Sequence, residues 1–519
     1  MALSYELLLD LYRGRAAVVE QMSASEREAL RLDTPLARFI NQAALEGMPR
    51  HIVLTGNAGD GKTFAALTSQ AEGLSLVLDA SADASGRPPI DRLAKHLAAL
   101  LEADRRLLLA INRGQLERLA AAVATEETPL GRFVAETRRQ ISLRVSWSEE
   151  PPFDDVAVID LGLCDWTADE VVEAMLLKAA AVDLTGVSGS ARTAADEARR
   201  ALSTTHVRRW VHGVMAAVRA EGRHVTMRQL WSFTAFLITG GIRPDDASKH
   251  PGVDETVGAR MFAYKAQRTP LETALPLIDP ARLPEPGLVR MLLSGAAQAH
   301  LRSLEGVGVL ANYDADGVAA ARAAVVHDSK RAPSIDLEDT FTQLAKRLAG
   351  KPGWNRMSSA TSRILKGVYS SLGLWCADPA FPAWQVLCYD SARYARAPAV
   401  ANGEISLDSL ALALPRPPPR CEQALSGTWR PPYLWIGADT SEEARLRLSP
   451  RLVRSLYVDD PRDLDSSDSL LLARWLARLP ASTNPNRVRV GRSAAHGDAA
   501  RPPSITKDDI SGRIRIEET

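Results

Sequence analysis

Residues 56 to 63 have the types and spacing of a loop that binds phosphate. They match the pattern G-x-x-x-x-G-K-[ST] without a mismatch. Glycine at 56, 59 and 61 permits the positive φ angles that let successive backbone N–H groups point at phosphate oxygens. Such a loop binds a nucleoside triphosphate, so the sequence predicts ATP as a ligand. The residues predicted to bind it are Gly56, Asn57, Ala58, Gly59, Asp60, Gly61, Lys62, Thr63 and Phe64.

Two side chains at the end of this loop are suited to a triphosphate. Lys62 is expected to neutralise the β- and γ-phosphates as a catalytic residue, and the Thr63 hydroxyl is expected to bind Mg²⁺. Asp60 differs from them, because a carboxylate beside a triphosphate repels it unless the side chain points outward. We therefore expect ATP and Mg²⁺ as cofactors, with Asp60 part of the loop but not catalytic.

The elements that position this loop must be a strand before it and a helix after it. Residues 51–55 form a short apolar run typical of a buried strand, and helical spacing resumes at 64–71. Further strand-like runs occur at 74–79, 107–111 and 156–161, with a helix expected at 90–103. Near-continuous apolar strands separated by helices predict a parallel sheet buried on both faces. The predicted fold class is α/β: a parallel sheet flanked by helices, followed by a helical lid and a mixed, mainly helical C-terminal region.

Hydrolysis requires a further polar residue at a strand end, to hold Mg²⁺ or to orient water. No apolar run ends in Asp-Glu, and three catalytic candidates compete at strand ends: Asp79, Asn112 and Asp160. Each has an ordinary alternative, since either aspartate could begin a turn and the asparagine could cap the following helix. Arg113 could reach a phosphate of this subunit or of a neighbouring one. The sequence therefore predicts nucleotide binding more directly than hydrolysis.

The composition is that of a folded protein without a net charge. The chain of 519 residues is 46% hydrophobic and 24% charged, with 63 Lys plus Arg and 63 Asp plus Glu. That balance excludes a global basic field for nucleic acid or for an acidic membrane. The four cysteines lack metal-ligand spacing and are expected to be free thiols. The N-terminus lacks a signal-peptide pattern and no apolar run approaches the length of about 20 residues that spans a bilayer, so we expect a cytoplasmic protein without membrane contact.

A chain of this length is expected to form about two to four domains. Helical spacing dominates from 169 to 237 and ends at a Gly-Gly pair. After the proline-rich stretch 415–419, short strands are expected at 433–436, 446–448 and 452–458. The predicted regions are N-terminal helices at 1–45, a nucleotide-binding core at 46–167, a helical lid at 168–250, a helical domain at 251–415, a small α+β region at 416–483 and an extended or disordered tail at 484–519.

Three segments together carry a resemblance to a known family. They are residues 51–63, which contain the loop; residues 107–116, Leu-Leu-Leu-Ala-Ile-Asn-Arg-Gly-Gln-Leu; and residues 224–241, which begin His-Val-Thr-Met-Arg-Gln-Leu-Trp. The chain resembles AAA+-type P-loop ATPases over roughly residues 30 to 290. Within that class it is similar to the ATPase subunit of bacterial phosphorothioation-dependent DNA restriction and to related phage-defence ATPases.

This resemblance implies roles for residues outside the loop. Arg228 would be a catalytic lid arginine that senses the γ-phosphate, and Asn112 would lie near the same phosphate. Arg113 stands where the relatives tend to have glutamate, which leaves the catalytic carboxylate unassigned. The ordinary alternative for Arg228 is a solvated arginine on an amphipathic helix.

The function implied by the resemblance is an ATP-binding and ATP-hydrolysing subunit of a bacterial multi-protein system, in anti-phage defence or DNA restriction. Its partners would be other subunits of a defence complex, with homo-oligomers as a further expectation. One alternative is a nucleotide-dependent scaffold or switch with little hydrolysis, and another is a kinase or small-molecule phosphotransferase. Direct contact with nucleic acid would come through arginines for which a solvated tail is the ordinary alternative, namely Arg487, Arg489, Arg492 and Arg501.

Overall fold

The computed structural model describes all residues other than 1–2, 15–18, 70–71, 79–89, 124–126, 148–154, 246–255, 266–268, 283–316, 332–339, 373–398, 404–409, 439–443, 458–463, 465, 484–486, 493–503, 508–513 and 518–519. The chain divides into two compact units. The first comprises Met1–Leu143, Trp147–Leu337 and Pro417–Arg430, and the second comprises Arg144–Ser146, Glu338–Arg416 and Pro431–Thr519. Within the described ranges, every helix is too short or too polar to cross a lipid bilayer.

The first unit contains a four-stranded parallel sheet with the order β2-β3-β1-β4. Its strands are β1 His51–Thr55, β2 Ser75–Leu78, β3 Leu107–Ala110 and β4 Val156–Asp160. In the register of the sheet, Leu54 lies opposite Ala110 of β3, and Thr55 lies opposite Asp160 of β4. The carboxyl ends of β1, β3 and β4 therefore meet at one edge, and residues 56–61 leave the sheet at this edge.

Both faces of this sheet are buried, as the near-continuous apolar strands predict. Val53 of β1 packs into a core with helices α5 Ile90–Glu102, α6 Arg113–Ala122 and α7 Pro129–Ile141. Ile52 and Leu54 point the other way, because side chains alternate along a strand, and they join a larger core built with the N-terminal helices and the helical block. The α/β prediction is confirmed at this level.

The N-terminal helices begin where the sequence has capping residues. They are α1 Tyr5–Tyr12, a 3-10 turn at Val19–Gln21, α2 Ala24–Leu30 and α3 Pro35–Glu46. The Thr34 hydroxyl accepts the N–H of Ala37 at 3.2 Å, and Pro35 occupies the first turn, where its missing N–H costs nothing. Helix α4, Lys62–Thr68, follows the predicted phosphate loop.

A helical block completes the first unit. Its helices are α8 Asp169–Ala180, α9 Gly189–Ser203, α10 Thr205–Ala220, α11 Met227–Thr239, α12 Val257–Ala263, α13 Pro270–Ile278 and α14 Gly317–Val326, with a further helix at Pro419–Ala424. Helix α11 starts with a reciprocal capping box, in which the Thr226 hydroxyl accepts the Gln229 N–H and the Gln229 side chain accepts the Thr226 N–H. It ends at Gly240, whose φ is +58°.

The second unit combines helices with two antiparallel sheets. Its helices are Thr340–Ala349, Ser358–Ser371, Pro450–Tyr457 and Ser466–Thr483. One sheet has the order β5-β7-β8-β9, with strands Trp354–Asn355, Leu410–Ala413, Leu434–Ala438 and Leu446–Leu448. The other has the order β12-β11-β10-β6, with strands Ile514–Glu517, Ser504–Lys507, Arg487–Arg492 and Ala399–Gly403.

Several expectations for the C-terminal half differ from these bounds. The strand predicted at 452–458 is wrong, because Leu452, Val453 and Leu456 are buried at helical spacing on helix Pro450–Tyr457. The predicted helical domain 251–415 is divided between the two units, as is the predicted region 416–483. Segments of the predicted extended tail, 484–519, pair as strands of an antiparallel sheet.

Candidate functional site

The loop between β1 and α4 turns through glycines with positive φ. The φ angles are +137° at Gly56, +92° at Gly59 and +90° at Gly61. L-residues with side chains rarely adopt such angles, so the sequence pattern of this loop matches its backbone. Space is also limiting at Gly56, where a Cβ atom would lie 2.8 Å from a carboxylate oxygen of Asp60 and 3.0 Å from the nitrogen of Gly162.

The predicted phosphate-binding lysine folds back over this loop. Lys62 is buried, and its Nζ donates hydrogen bonds to the carbonyl oxygens of Gly56 at 3.2 Å and Asn57 at 2.6 Å. Thr63 follows in the first turn of α4 and is half-buried. Both residues line a cavity of about 490 Å³.

The wall of this cavity has a polar part and an apolar part. The polar part includes residues of the loop and of other segments, namely Ala58, Gly59, Gly61, Lys62, Thr63, Glu20, Thr34, Thr68, Asn112 and Arg228. The apolar part comes largely from the N-terminal helices and α11, including Leu11, Val19, Met22, Leu30, Leu32, Leu36, Phe64, Trp166, Met227 and Trp231. A cavity of this size and mixed lining suits a small organic ligand with a charged end.

Asn112 and Arg228 are brought to the loop from distant parts of the sequence. Asn112 follows β3 and occupies the N-cap position of α6, as the capping alternative has it, although its side chain makes no capping hydrogen bond. Arg228 is the second residue of α11 and its backbone N–H donates to the Gly59 carbonyl at 3.1 Å. Its side chain is exposed and lines the cavity. Both residues therefore share one cavity with Lys62 and Thr63.

Asp160 lies at the same edge of the sheet, at the carboxyl end of β4. It is buried, its Oδ1 accepts the Gly162 N–H at 2.9 Å, and it is not among the described residues that line the cavity. Burial raises the pKa of Asp160, while the Gly162 N–H and the Arg113 guanidinium, 3.9 Å away, lower it in part. The contact with Gly162 is a local turn of the kind considered as an alternative. Asp79 lies outside the described residues.

Asp60 is in the loop, and its side chain is bound within the fold rather than lining the cavity. The carboxyl group is fully buried, and Oδ2 accepts the Asn57 N–H at 2.6 Å. Oδ1 lies 2.7 Å from Nε2 of His224. This carboxylate is thus turned away from the cavity, in keeping with the condition that a carboxylate in such a loop must not face an anionic ligand.

Two polar residues at the site were missed by sequence reasoning. Glu20 lines the cavity from the 3-10 turn between α1 and α2, where nothing in its local spacing marks it. His224 contacts the loop through Asp60, and the available signal was its position as the first residue of the segment 224–241. The fold thus brings Glu20 and His224 close to the loop, although both lie far from it in the sequence.

The described part of the chain contains no group of three or more His, Cys, Asp or Glu side chains arranged to hold a metal ion. A Mg²⁺ ion held by one hydroxyl, phosphate oxygens and water would need no such group. In comparisons with known proteins, no family model, no curated protein and no solved structure matches this chain.

Proposed function

We propose that the first unit binds a nucleoside triphosphate, with ATP as the ligand, in the cavity beside residues 56–63. The observation that supports this most strongly is the convergence of the glycine-rich loop, Lys62, Thr63 and Arg228 on one cavity. Two cationic side chains and a loop of backbone N–H groups suit a triphosphate. Trp166 and Trp231 on the apolar part of the wall suit a purine base.

The residues present also fit a magnesium ion. The Thr63 hydroxyl is a hard oxygen ligand on the cavity wall, directly after the lysine that would bind phosphate. When bound, Mg²⁺ supplies charge neutralisation at the phosphates. Around it, Lys62 and Arg228 bind and orient the anionic end of the ligand, while the apolar wall excludes water from the other end.

The test is the affinity of the full-length protein for ATP with Mg²⁺, measured by titration calorimetry. Replacement of Lys62 by alanine removes charge-assisted hydrogen bonds to phosphate and is expected to weaken binding by about 100-fold. Lys95→Ala is the control, because Lys95 is exposed on α5 and is not among the described residues of the cavity wall. Equal affinity of the wild type and Lys62→Ala would contradict the proposal.

A second candidate is a nucleotide-dependent switch with little hydrolysis. It is favoured by the burial of the carboxylates, since Asp60 and Asp160 are both buried and neither is among the described residues that line the cavity. Among the described residues of the cavity wall, Glu20 alone carries a carboxylate, and it comes from the N-terminal segment rather than from a strand end. A hydrolase would need one of these groups, or Asn112, to orient water.

Phosphate release from ATP separates the two candidates. The variants are Asp79→Asn, Asn112→Ala, Asp160→Asn and Glu20→Gln, each checked first for wild-type ATP affinity. A robust wild-type rate that falls by about 100-fold in one of them supports an ATPase. A slow rate that none of them changes supports the switch.

The biological role we propose is that of a subunit of a bacterial anti-phage or DNA-restriction system. It is supported by the resemblance in the three sequence segments 51–63, 107–116 and 224–241. Cells that carry the gene with its neighbouring genes should resist phage infection, and Lys62→Ala should abolish that resistance at equal protein abundance. Equal plaque counts with and without the intact gene would contradict this role.

A further inference from the structure

The carboxylate of Asp60 is unusual for its place, because it sits inside a loop suited to anions. It is fully buried, and burial of a charged group is costly unless partners compensate it. One oxygen accepts the Asn57 N–H at 2.6 Å, which fixes the first turn of the loop. The same oxygen would lie 2.8 Å from a Cβ on Gly56, so the loop is closed tightly around this group.

The second oxygen of Asp60 binds a different part of the fold. It lies 2.7 Å from Nε2 of His224, which precedes α11 and is 28% exposed. Other titratable groups nearby are Asp160 and Cys164, whose pKa values burial raises and Asp60 raises further, and Arg113 lies 3.9 Å from Asp160. Among these described groups, the His224 imidazole is the one that contacts the Asp60 carboxylate directly, and it does so from the segment just before α11.

Two more contacts join the first residues of the α11 segment to the loop. Thr226, the N-cap residue, lies against Gly59, where an added Cβ would be 3.1 Å from the Thr226 hydroxyl. The backbone N–H of Arg228 donates to the Gly59 carbonyl at 3.1 Å. Residues 224, 226 and 228 thus contact neighbouring residues 59 and 60 of the loop, and the side chain of Arg228 lines the cavity.

We propose that Asp60 and His224 form a latch that holds the start of α11 on the phosphate loop and thereby positions Arg228 at the cavity. Both are positioning residues, because neither is among the described residues that line the cavity. The inference rests on the proposed nucleotide site for its functional part, whereas the latch itself rests on the contacts of residues 224, 226 and 228 with the loop. The latch makes the position of α11 depend on the conformation of residues 56–61, so a distortion of the loop is transmitted to the helix and the reverse.

The latch is tested by hydrogen–deuterium exchange of the ligand-free full-length protein, in the peptide that spans residues 224–232. His224→Ala removes one charge-assisted hydrogen bond and is expected to increase exchange there by about 10- to 100-fold. His224→Gln retains a donor that can reach Asp60 and is expected to restore most of the protection. The control is His212→Ala, which disrupts another histidine–carboxylate contact of the first unit, at 3.3 Å from Glu173.

ATP affinity of the same variants tests the functional part separately. We expect His224→Ala to weaken affinity by about tenfold and His224→Gln to bind nearly as the wild type does. Faster exchange in His224→Ala without ATP binding by the wild type would support the latch and contradict the proposed nucleotide site. Unchanged exchange in His224→Ala, or an equal increase in His212→Ala, would overturn the latch. Faster exchange with unchanged affinity would overturn the positioning of Arg228.

Discussion

Two histidine–carboxylate pairs of the first unit differ in burial and in what they connect. His224 and Asp60 lie 2.7 Å apart and join the start of α11 to the loop beside the cavity. His327 and Glu197 lie 3.4 Å apart, and both side chains are 5% exposed. The second pair joins the end of α14 to α9, inside the helical block.

The surroundings of the more deeply buried pair, His327 and Glu197, favour the uncharged form of each side chain. Burial raises the pKa of Glu197 to about 7, against the lowering effects of Arg260 and the Val257 N–H. Burial also lowers the pKa of His327 to about 3, with His206 and Arg260 acting in the same direction. Desolvation thus disfavours both charged forms, as expected where water is excluded. The pair in the helical block joins two helices of the core, whereas the pair at the loop is the proposed latch that positions Arg228.

The largest expected effect on stability comes from the arginine beside Glu197. The Arg260 guanidinium donates to the carbonyls of Leu237, Ile238 and Ala194 at 2.8 to 2.9 Å. Arg260→Leu leaves these carbonyls and Glu197 without this cation and is expected to lower the free energy of unfolding by about 3 to 5 kcal/mol. Urea denaturation followed by circular dichroism measures this change.

The control for Arg260 is an exposed ion pair of the same unit. Arg38 lies 2.9 Å from Asp33, and both side chains are more than half exposed. Arg38→Ala should cost less than about 1 kcal/mol. The ATP affinity of folded Arg260→Leu should match that of the wild type. A tenfold loss of affinity would contradict the distinction between the His327–Glu197 pair, which stabilises the fold, and the His224–Asp60 pair, which is proposed to position Arg228.

A smaller effect on stability is expected from replacement of Gly56, which lies against the Asp60 carboxylate. Gly56→Ala adds a Cβ where the Asp60 carboxylate and the Gly162 nitrogen leave no room, at a φ of +137°. We expect a loss of about 3 kcal/mol in unfolding free energy, from the contact and the backbone strain together. Gly186→Ala is the matched control, since its φ is +78° with nothing within 4 Å, and it should cost about 1 kcal/mol. Equal losses in the two variants would contradict a tightly enclosed carboxylate.

The pH dependence of the unfolding free energy tests the buried pair of His327 and Glu197, because burial shifts the pKa of both groups. Because the folded pKa of Glu197 is about 7 and the ordinary value is 4.5, this group stabilises the fold fully below about pH 4.5 and loses that contribution as pH rises through 7. His327 acts oppositely, since its pKa falls from 6.5 to about 3 and its contribution is lost as pH falls through that range. The two contributions oppose each other where their windows overlap.

Glu197→Gln removes the first contribution and keeps an acceptor for the Val257 N–H. Relative to the wild type, the variant should gain unfolding free energy, on the order of 1 kcal/mol or more, as pH rises from about 4.5 to about 7. Urea denaturation at several pH values measures the difference. Parallel curves for the two proteins would mean that Glu197 does not titrate differently in the folded state.

The loop and the sheet were predictable because their signals are local, whereas both histidine–carboxylate pairs were not. The residues from Gly56 to Thr63 are contiguous, and the apolar strands around them have a short period. His224 and Asp60 are separated by 164 positions, so no spacing rule links them. The direction of the Asp60 side chain also depends on that distant partner. The strand predicted at 452–458 failed for another reason, since a short apolar run fits helix and strand equally.

The smallest expected effect concerns Arg113, which faces Asp160, the second buried carboxylate near the loop. Its guanidinium lies 3.9 Å from Asp160 and is 59% exposed, so the pair is screened by solvent and Arg113→Ala should change the unfolding free energy by less than about 0.5 kcal/mol. ATP affinity should also stay unchanged, because Arg113 is not among the described residues of the cavity wall. Since this cation lowers the pKa of Asp160 in part, the variant should show a somewhat higher Asp160 pKa by NMR titration. A tenfold loss of affinity would instead assign Arg113 to the ligand, and the back of the loop would then take part in binding as well as in holding α11.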